Sequence, residues 1–116
     1  MATDFDSPEP SVLVEMVERR GELRGLARGV EVTLGDAPPR PAVEMSRKGV
    51  FVAVEDPDGY SLGHTHALTI ADRERRLSCR AVLVRKESEP RRGVALRIDV
   101  ISPEDEAVLV AILEDL

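Results

Sequence analysis

The sequence predicts a mainly all-β fold: a barrel or sandwich of six short strands, followed by a C-terminal helix. Three observations carry this expectation. Apolar residues alternate with polar ones in four separate stretches, which is the signature of half-buried strands. Turn-forming stretches rich in Pro, Gly, Asp and Ser separate these runs at regular spacing. After Ser102 the period changes from two to that of a helix.

In chain order, Val12, Leu13, Met16 and Val17 mark a candidate short N-terminal helix after Ser7-Pro-Glu-Pro10, ended by Gly21. Residues 1–8 read as a tail, so 1–18 is a tail or short helix ahead of one domain over 19–116. Val30, Val32 and Leu34 form the first alternating run, and the Pro-rich turn Asp36-Ala-Pro-Pro-Arg-Pro41 follows. A strand is expected over Ala42 to Met45, with Val43 and Met45 facing the core and Glu44 and Ser46 facing outward. Val50, Val52 and Val54 lead to the turn Glu55-Asp-Pro-Asp-Gly59, and a further strand spans His64 to Ile70. Leu77, Cys79, Ala81 and Leu83 alternate next, before the turn Glu87-Ser-Glu-Pro-Arg-Arg-Gly93. The last run, Val94, Leu96, Ile98 and Val100, leaves Ala95, Arg97 and Asp99 on the opposite face, where Arg97 and Asp99 read as a surface pair. Strand closure would remove exposed edges.

Ser102 suits an N-cap, Pro103 the first helical position, and Glu104, Asp105 and Glu106 the positive end of the helix dipole. Val108, Leu109, Ile112, Leu113 and Leu116 then form one apolar stripe, predicted to pack on the barrel or cover one of its openings.

With 116 residues and 42% hydrophobic content, the chain is sized for one folded domain with a single core. Its one cysteine, Cys79, has no internal partner for a disulfide and falls in the apolar register of its strand. The N-terminus is acidic where a secretory signal is basic and then apolar, and no stretch approaches the roughly 18 apolar residues of a membrane helix. These features point to a cytoplasmic protein without membrane insertion. A formal net charge of -6 argues against a binder of nucleic-acid polymers, which are held mainly through their phosphates.

Local charge differs from the total. Between Arg19 and Arg28 stand four arginines against Glu22, which suits a small anionic ligand; the plain alternative is a solvated charged segment. Arg20-Gly-Glu-Leu-Arg24 spaces two guanidinium groups at i, i+4. The planar fork of arginine donates paired hydrogen bonds to guanine O6 and N7 or to two phosphate oxygens. Past the Pro-rich turn comes Glu44-Met-Ser46-Arg47-Lys48-Gly49. Its carboxylate can accept from guanine N1 and N2, its hydroxyl can donate to a phosphate, and Gly49 permits a turn that brings backbone close to a ligand.

In this order and at this separation, the two clusters resemble the PilZ domain, whose Arg-x-x-x-Arg and Asp/Asn-x-Ser-x-x-Gly motifs bind the bacterial messenger cyclic di-GMP. Glu44 departs from the pattern, standing where the family has Asp or Asn, and its extra methylene gives more reach and rotamer freedom. The resemblance extends through Ser46-Arg-Lys-Gly49-Val-Phe-Val, Arg92-Gly93-Val-Ala-Leu-Arg-Ile and Ser102-Pro-Glu-Asp. It implies a six-stranded antiparallel β-barrel with a C-terminal helix, residues 19–116 being the PilZ domain. It implies a cyclic di-GMP site at Arg19, Arg20, Arg24, Glu44, Ser46 and Gly49, with Arg19 as a supporting phosphate contact. A second register, Arg24-x-x-x-Arg28, also satisfies the first motif. The function implied is a receptor that changes conformation on binding and signals to an effector protein, with motility, exopolysaccharide production or virulence as outputs. The alternative is a degenerate module that does not bind nucleotide and acts as a protein interaction adaptor.

Other candidates carry less. His64-Thr-His66 offers two imidazoles at a legal metal-ligand spacing, but no third ligand converges from the sequence. Arg73, Arg75 and Arg76 read as a solvated hairpin tip. There is no Gly-rich phosphate loop and no plausible triad, so the expectation is a binding protein without metal, cofactor or catalytic residues.

Overall fold

Alternation in the sequence produces strands wherever one face can be buried, and here six of them wrap until the first meets the last. The computed structural model describes residues 25–26 and 29–116. The candidate N-terminal helix, the 1–18 tail, and Arg19, Arg20, Arg24 and Arg28 lie outside the described residues. The strands are β1 (Gly25–Leu26), β2 (Glu31–Leu34), β3 (Arg40–Met45), β4 (Gly49–Ala53), β5 (Thr65–Ala71), β6 (Arg76–Glu87) and β7 (Gly93–Val100), followed by helix α1 (Pro103–Glu114). A 3-10 turn at Pro57–Gly59 lies between β4 and β5.

All pairings are antiparallel, running β3–β2–β5–β6–β7–β4 and closing from β4 back to β3. This is the six-stranded barrel with a C-terminal helix that the sequence predicts. The two-residue β1 is an addition: β2 pairs with β3 at Arg40 and Pro41, and β1 takes over beside Glu44 and Met45. It thereby supplies backbone partners to a length of β3 that β2 does not reach.

The interior is filled from every strand of the barrel. Val32, Leu34, Met45, Val50, Val52, Leu68, Ile70, Leu77, Ala81, Leu83, Val94 and Leu96 are all at most 5% exposed. From α1, Leu109 and Ile112 join the same cluster, with Val108 and Leu113 packed at its margin. Ser102 caps the helix as predicted: its Oγ accepts from the Asp105 N–H at 3.0 Å. Leu116, at the end of the predicted stripe, is instead exposed, because α1 ends at Glu114.

Three bulges break the simple alternation. Ala42 opposes Val52 but Glu44 opposes Phe51, so Val43 is an extra residue and lies half-buried rather than in the core. Asp99 is extra on β7, between Ile98 opposite Ala81 and Val100 opposite Arg80. Directly opposed residues share a face. Val100 therefore turns outward with Arg80 and is 57% exposed, against the expectation that it faces the core. Val84 is extra on β6 and is likewise exposed. Such insertions raise local twist and bend a strand, as closing a barrel requires.

Candidate functional site

The bulge at Val43 decides what β3 presents on its outer face. It keeps Ala42 and Met45 inward and leaves Glu44 pointing out, opposite Phe51. The register continues across the sheet from Phe51 to Ala95 on β7, and from Ala95 to Arg85 on β6. One outward row of the barrel thus reads Glu44, Phe51, Ala95, Arg85.

Phe51 is fully buried, yet it stands outside the interior cluster. Its ring lies against the β7 backbone at Gly93, where an added Cβ would come within 2.8 Å of the ring carbons Cε2 and Cζ. Above the ring sits Arg91, from the β6–β7 turn, with its guanidinium carbon 4.1 Å from the ring centroid. A cation in that position is attracted by the ring quadrupole, worth about 0.5–1 kcal/mol when partly exposed.

The guanidinium edges are also engaged. Arg91 Nη1 is 2.9 Å from Glu44 Oε2, and Arg91 Nε donates to Glu87 Oε1 at 3.4 Å. Arg85 Nε in turn donates to Glu87 Oε2 at 2.8 Å. The result is a row of alternating charge, Glu44, Arg91, Glu87, Arg85, laid over an aromatic ring. Glu44 and Arg91 are each more than a third exposed, so solvent screens their attraction and holds its worth to about 0–1 kcal/mol.

Ser46 follows Glu44 where β3 turns into β4. Its N–H donates to the Gly49 carbonyl at 2.9 Å, and its Oγ accepts from the Lys48 N–H at 3.1 Å. The hydroxyl hydrogen remains available to donate to an anion. Arg47 at the turn tip pairs with Glu106 on α1 at 3.2 Å. Gly49 is required by packing: a Cβ there would lie 2.4 Å from the Leu96 carbonyl oxygen, so β7 could not approach. The reason differs from the ligand-approach turn inferred from the sequence.

Of the predicted site, Glu44 and Ser46 are both half-buried at the end of β3, and Gly49 is buried at the start of β4. Arg19, Arg20 and Arg24 lie outside the described residues. β1 bears on them through the chain itself. Gly25, directly after Arg24, is the partner of Met45, and Leu26 is the partner of Glu44. In this antiparallel register the upstream end of β1 is the end nearest Ser46.

Phe51, Glu87 and Arg91 are not among the site residues expected from the sequence. A signal existed for Phe51, an aromatic residue at an outward position between Val50 and Val52. Glu87 and Arg91 stand at i, i+4 within a turn, a spacing that means little outside a helix.

The remaining candidates resolve differently. His66 opposes Ala81 on the inward side and meets Tyr60 edge-to-face at 6.0 Å, while His64 precedes β5 and is exposed. Among the described residues no group of three or more His, Cys, Asp or Glu side chains is placed to hold a metal ion. Arg75, expected to be solvated, is half-buried and joins Asp72 to Asp115 on α1. Arg97 and Asp99 are both exposed and form no ion pair among the described residues.

No family model matches the chain. No curated protein matches it either. Among solved structures it is similar to the inhibitor of motility of Bacillus subtilis (MotI/DgrA), with a TM-score of 0.61 and 21% identity over 74% of this chain and 45% of that one. It is also similar to an uncharacterized Legionella protein, with a TM-score of 0.59 and 14% identity over 79% of this chain and 89% of that one. The chain thus spans less than half the length of the motility inhibitor. At these identities the likeness shows a shared barrel fold.

Proposed function

We propose that this chain is a PilZ-type receptor for cyclic di-GMP that changes conformation on binding and signals to a partner protein. The observation that carries the reading is the β1–β3 register. It pairs Gly25, the residue after Arg24, with Met45, which supports a site shared by the arginine motif and the Glu44–Ser46 segment. The likeness to a motility inhibitor supports a regulatory output, with motility as the first to examine.

In this reading Arg20 and Arg24 clamp a guanine edge and the adjoining phosphate, with Arg19 as a further phosphate contact. Glu44 accepts from guanine N1 and N2, and the Ser46 hydroxyl donates to a phosphate oxygen. The role is recognition, without a cofactor and without a chemical step. A cytoplasmic setting follows from the ligand. No helix among the described residues is long and apolar enough to cross a membrane.

Isothermal titration calorimetry with cyclic di-GMP tests the proposal, with GTP and Arg24→Ala as controls. The expected result is saturable binding in the micromolar range or tighter, weakened roughly 10- to 100-fold by the substitution, as for loss of a charged hydrogen bond, and absent with GTP. No heat at high concentration would replace the receptor with the nucleotide-free adaptor. The Glu44–Arg91 pair is the observation that favours that second reading, since Arg91 already occupies part of the carboxylate.

A further inference from the structure

We infer that Arg91 is a positioning residue for ligand binding, holding the Glu44 carboxylate in the orientation that receives guanine donors. This inference rests on the receptor reading above.

Arg91 is anchored independently of Glu44. Its guanidinium lies on the Phe51 ring, and that ring is fully buried and seated on the β7 backbone at Gly93. Its Nε reaches Glu87, which Arg85 holds from the other side at 2.8 Å. Glu44 has no such support. Its side chain is 42% exposed, and among the described residues Arg91 is its one polar partner. Among the described residues the pair is therefore asymmetric: a cation fixed on a ring, and a longer acid held by that cation.

A glutamate has three side-chain torsions, and fixing them on ligand arrival costs rotamer entropy that weakens binding. Arg91 imposes that order beforehand, the general route by which preorganisation raises affinity. It uses one carboxylate oxygen, Oε2, at 2.9 Å. A carboxylate accepts at both oxygens, so Oε1 remains for guanine N1 and N2. The same geometry gives the longer acid a purpose at this position. An aspartate would end one methylene short and would not span to Arg91.

The test measures cyclic di-GMP affinity by calorimetry for the wild type, Arg91→Ala, Arg91→Lys, Glu44→Asp and the Glu44→Asp/Arg91→Ala double variant, each with a thermal melt to confirm folding. Arg91→Ala is expected to weaken binding about tenfold, and Arg91→Lys, which keeps a charge near Glu44 but loses the stacked guanidinium and the Nε bond to Glu87, by a smaller but clear amount, about three- to fivefold. In the Glu44→Asp background, Arg91→Ala is expected to change affinity less than about twofold, because the shorter acid no longer depends on the guanidinium. Unchanged affinity in Arg91→Ala would overturn the inference while leaving the receptor intact. An equal loss in both backgrounds would also overturn it, since Arg91 would then act on the ligand itself. If wild-type protein fails to bind, the receptor reading and this inference fall together.

Discussion

Gly49 and Gly93 show how much a single missing side chain decides. Neither needs an unusual backbone conformation; each stands where a neighbouring strand comes too close for a Cβ. At Gly93 that Cβ would lie 2.3 Å from the Val52 carbonyl oxygen as well as against the Phe51 ring. Gly93→Ala is therefore expected to destabilise the fold by about 1–3 kcal/mol, as overpacking does elsewhere, and urea unfolding measures it. It should also weaken ligand binding, because the ring it displaces carries Arg91. An unchanged midpoint would mean that β4 and β7 tolerate a wider separation than they show. The sequence identifies Gly49 as special through its motif, but not the reason, which is a contact with Leu96 on a strand 47 positions away. Cys79 was legible in full: its apolar register places it in the core, and it is 8% exposed. Burial first, and the nearby Asp105 second, push its thiol up to about 11. A group whose folded value is raised contributes stability below its unfolded value and loses it as pH rises toward the folded one. Stability should thus decline between about pH 9 and 11, and that decline should vanish in Cys79→Ala. At pH 8 a thiol reagent should label the native protein slowly and the urea-unfolded protein at once. Equal labelling rates would place the thiol at the surface.

At the scale of elements, alternation predicted four of the barrel strands, with two more expected at Ala42 to Met45 and His64 to Ile70, and the failures within strands have one physical cause. Val43 and Val100 both break the expected pattern at or beside a bulge. A bulge is set by how two strands must bend together to close a barrel, so a single strand's sequence does not announce it. The closing helix was read correctly from Ser102, Pro103 and the acidic first turn, since capping is local chemistry. Its other end was not. Arg75, at the β5–β6 hairpin tip, donates to Asp72 Oδ2 at 2.8 Å and to Asp115 Oδ2 at 2.6 Å, fastening the tip to the helix terminus. Asp72 also accepts from the backbone N–H groups of Glu74 and Arg75. The Glu74 N–H first, and the Arg75 backbone and guanidinium after it, hold the Asp72 carboxyl below its ordinary value of 3.8. A depressed carboxylate contributes stability above its unfolded value and loses it as pH falls through the folded one. The fastening should therefore be intact at neutral pH and release only below about pH 4. Amide hydrogen exchange checks this. Arg75→Ala at pH 7 should speed exchange in the last turn of α1 while leaving the barrel strands protected. Uniform exchange across α1 would mean that Leu109 and Ile112 alone secure it.

For the whole molecule, the division between fold and function follows the division of the chain. The barrel closes through β2 to β7, and its interior cluster, helix included, draws on residues from Val30 to Ile112. The arginine motif belongs to the segment ahead of β1, and β1 itself pairs over two residues with a strand that the barrel already holds. Removing residues 1–24 should thus leave the closed sheet with every one of its strand-to-strand pairings. The same truncation deletes Arg19, Arg20 and Arg24, the charge that offsets a formal total of -6 where an anion would approach. The expected outcome is separable. The truncated chain should unfold cooperatively in urea with a slope close to that of the full chain, scaled for its smaller size, and should show no saturable heat with cyclic di-GMP. Binding retained after truncation would assign recognition to the Glu44–Arg91 face alone and make the arginine motif surface charge. Loss of cooperative unfolding would instead show that the first 24 residues complete the core, in which case receptor and scaffold cannot be separated in this chain. Under the receptor reading, ligand binding engages this segment. A partner that distinguishes bound from free protein should then contact β1 and the neighbouring part of β3, rather than the β6 side that α1 covers.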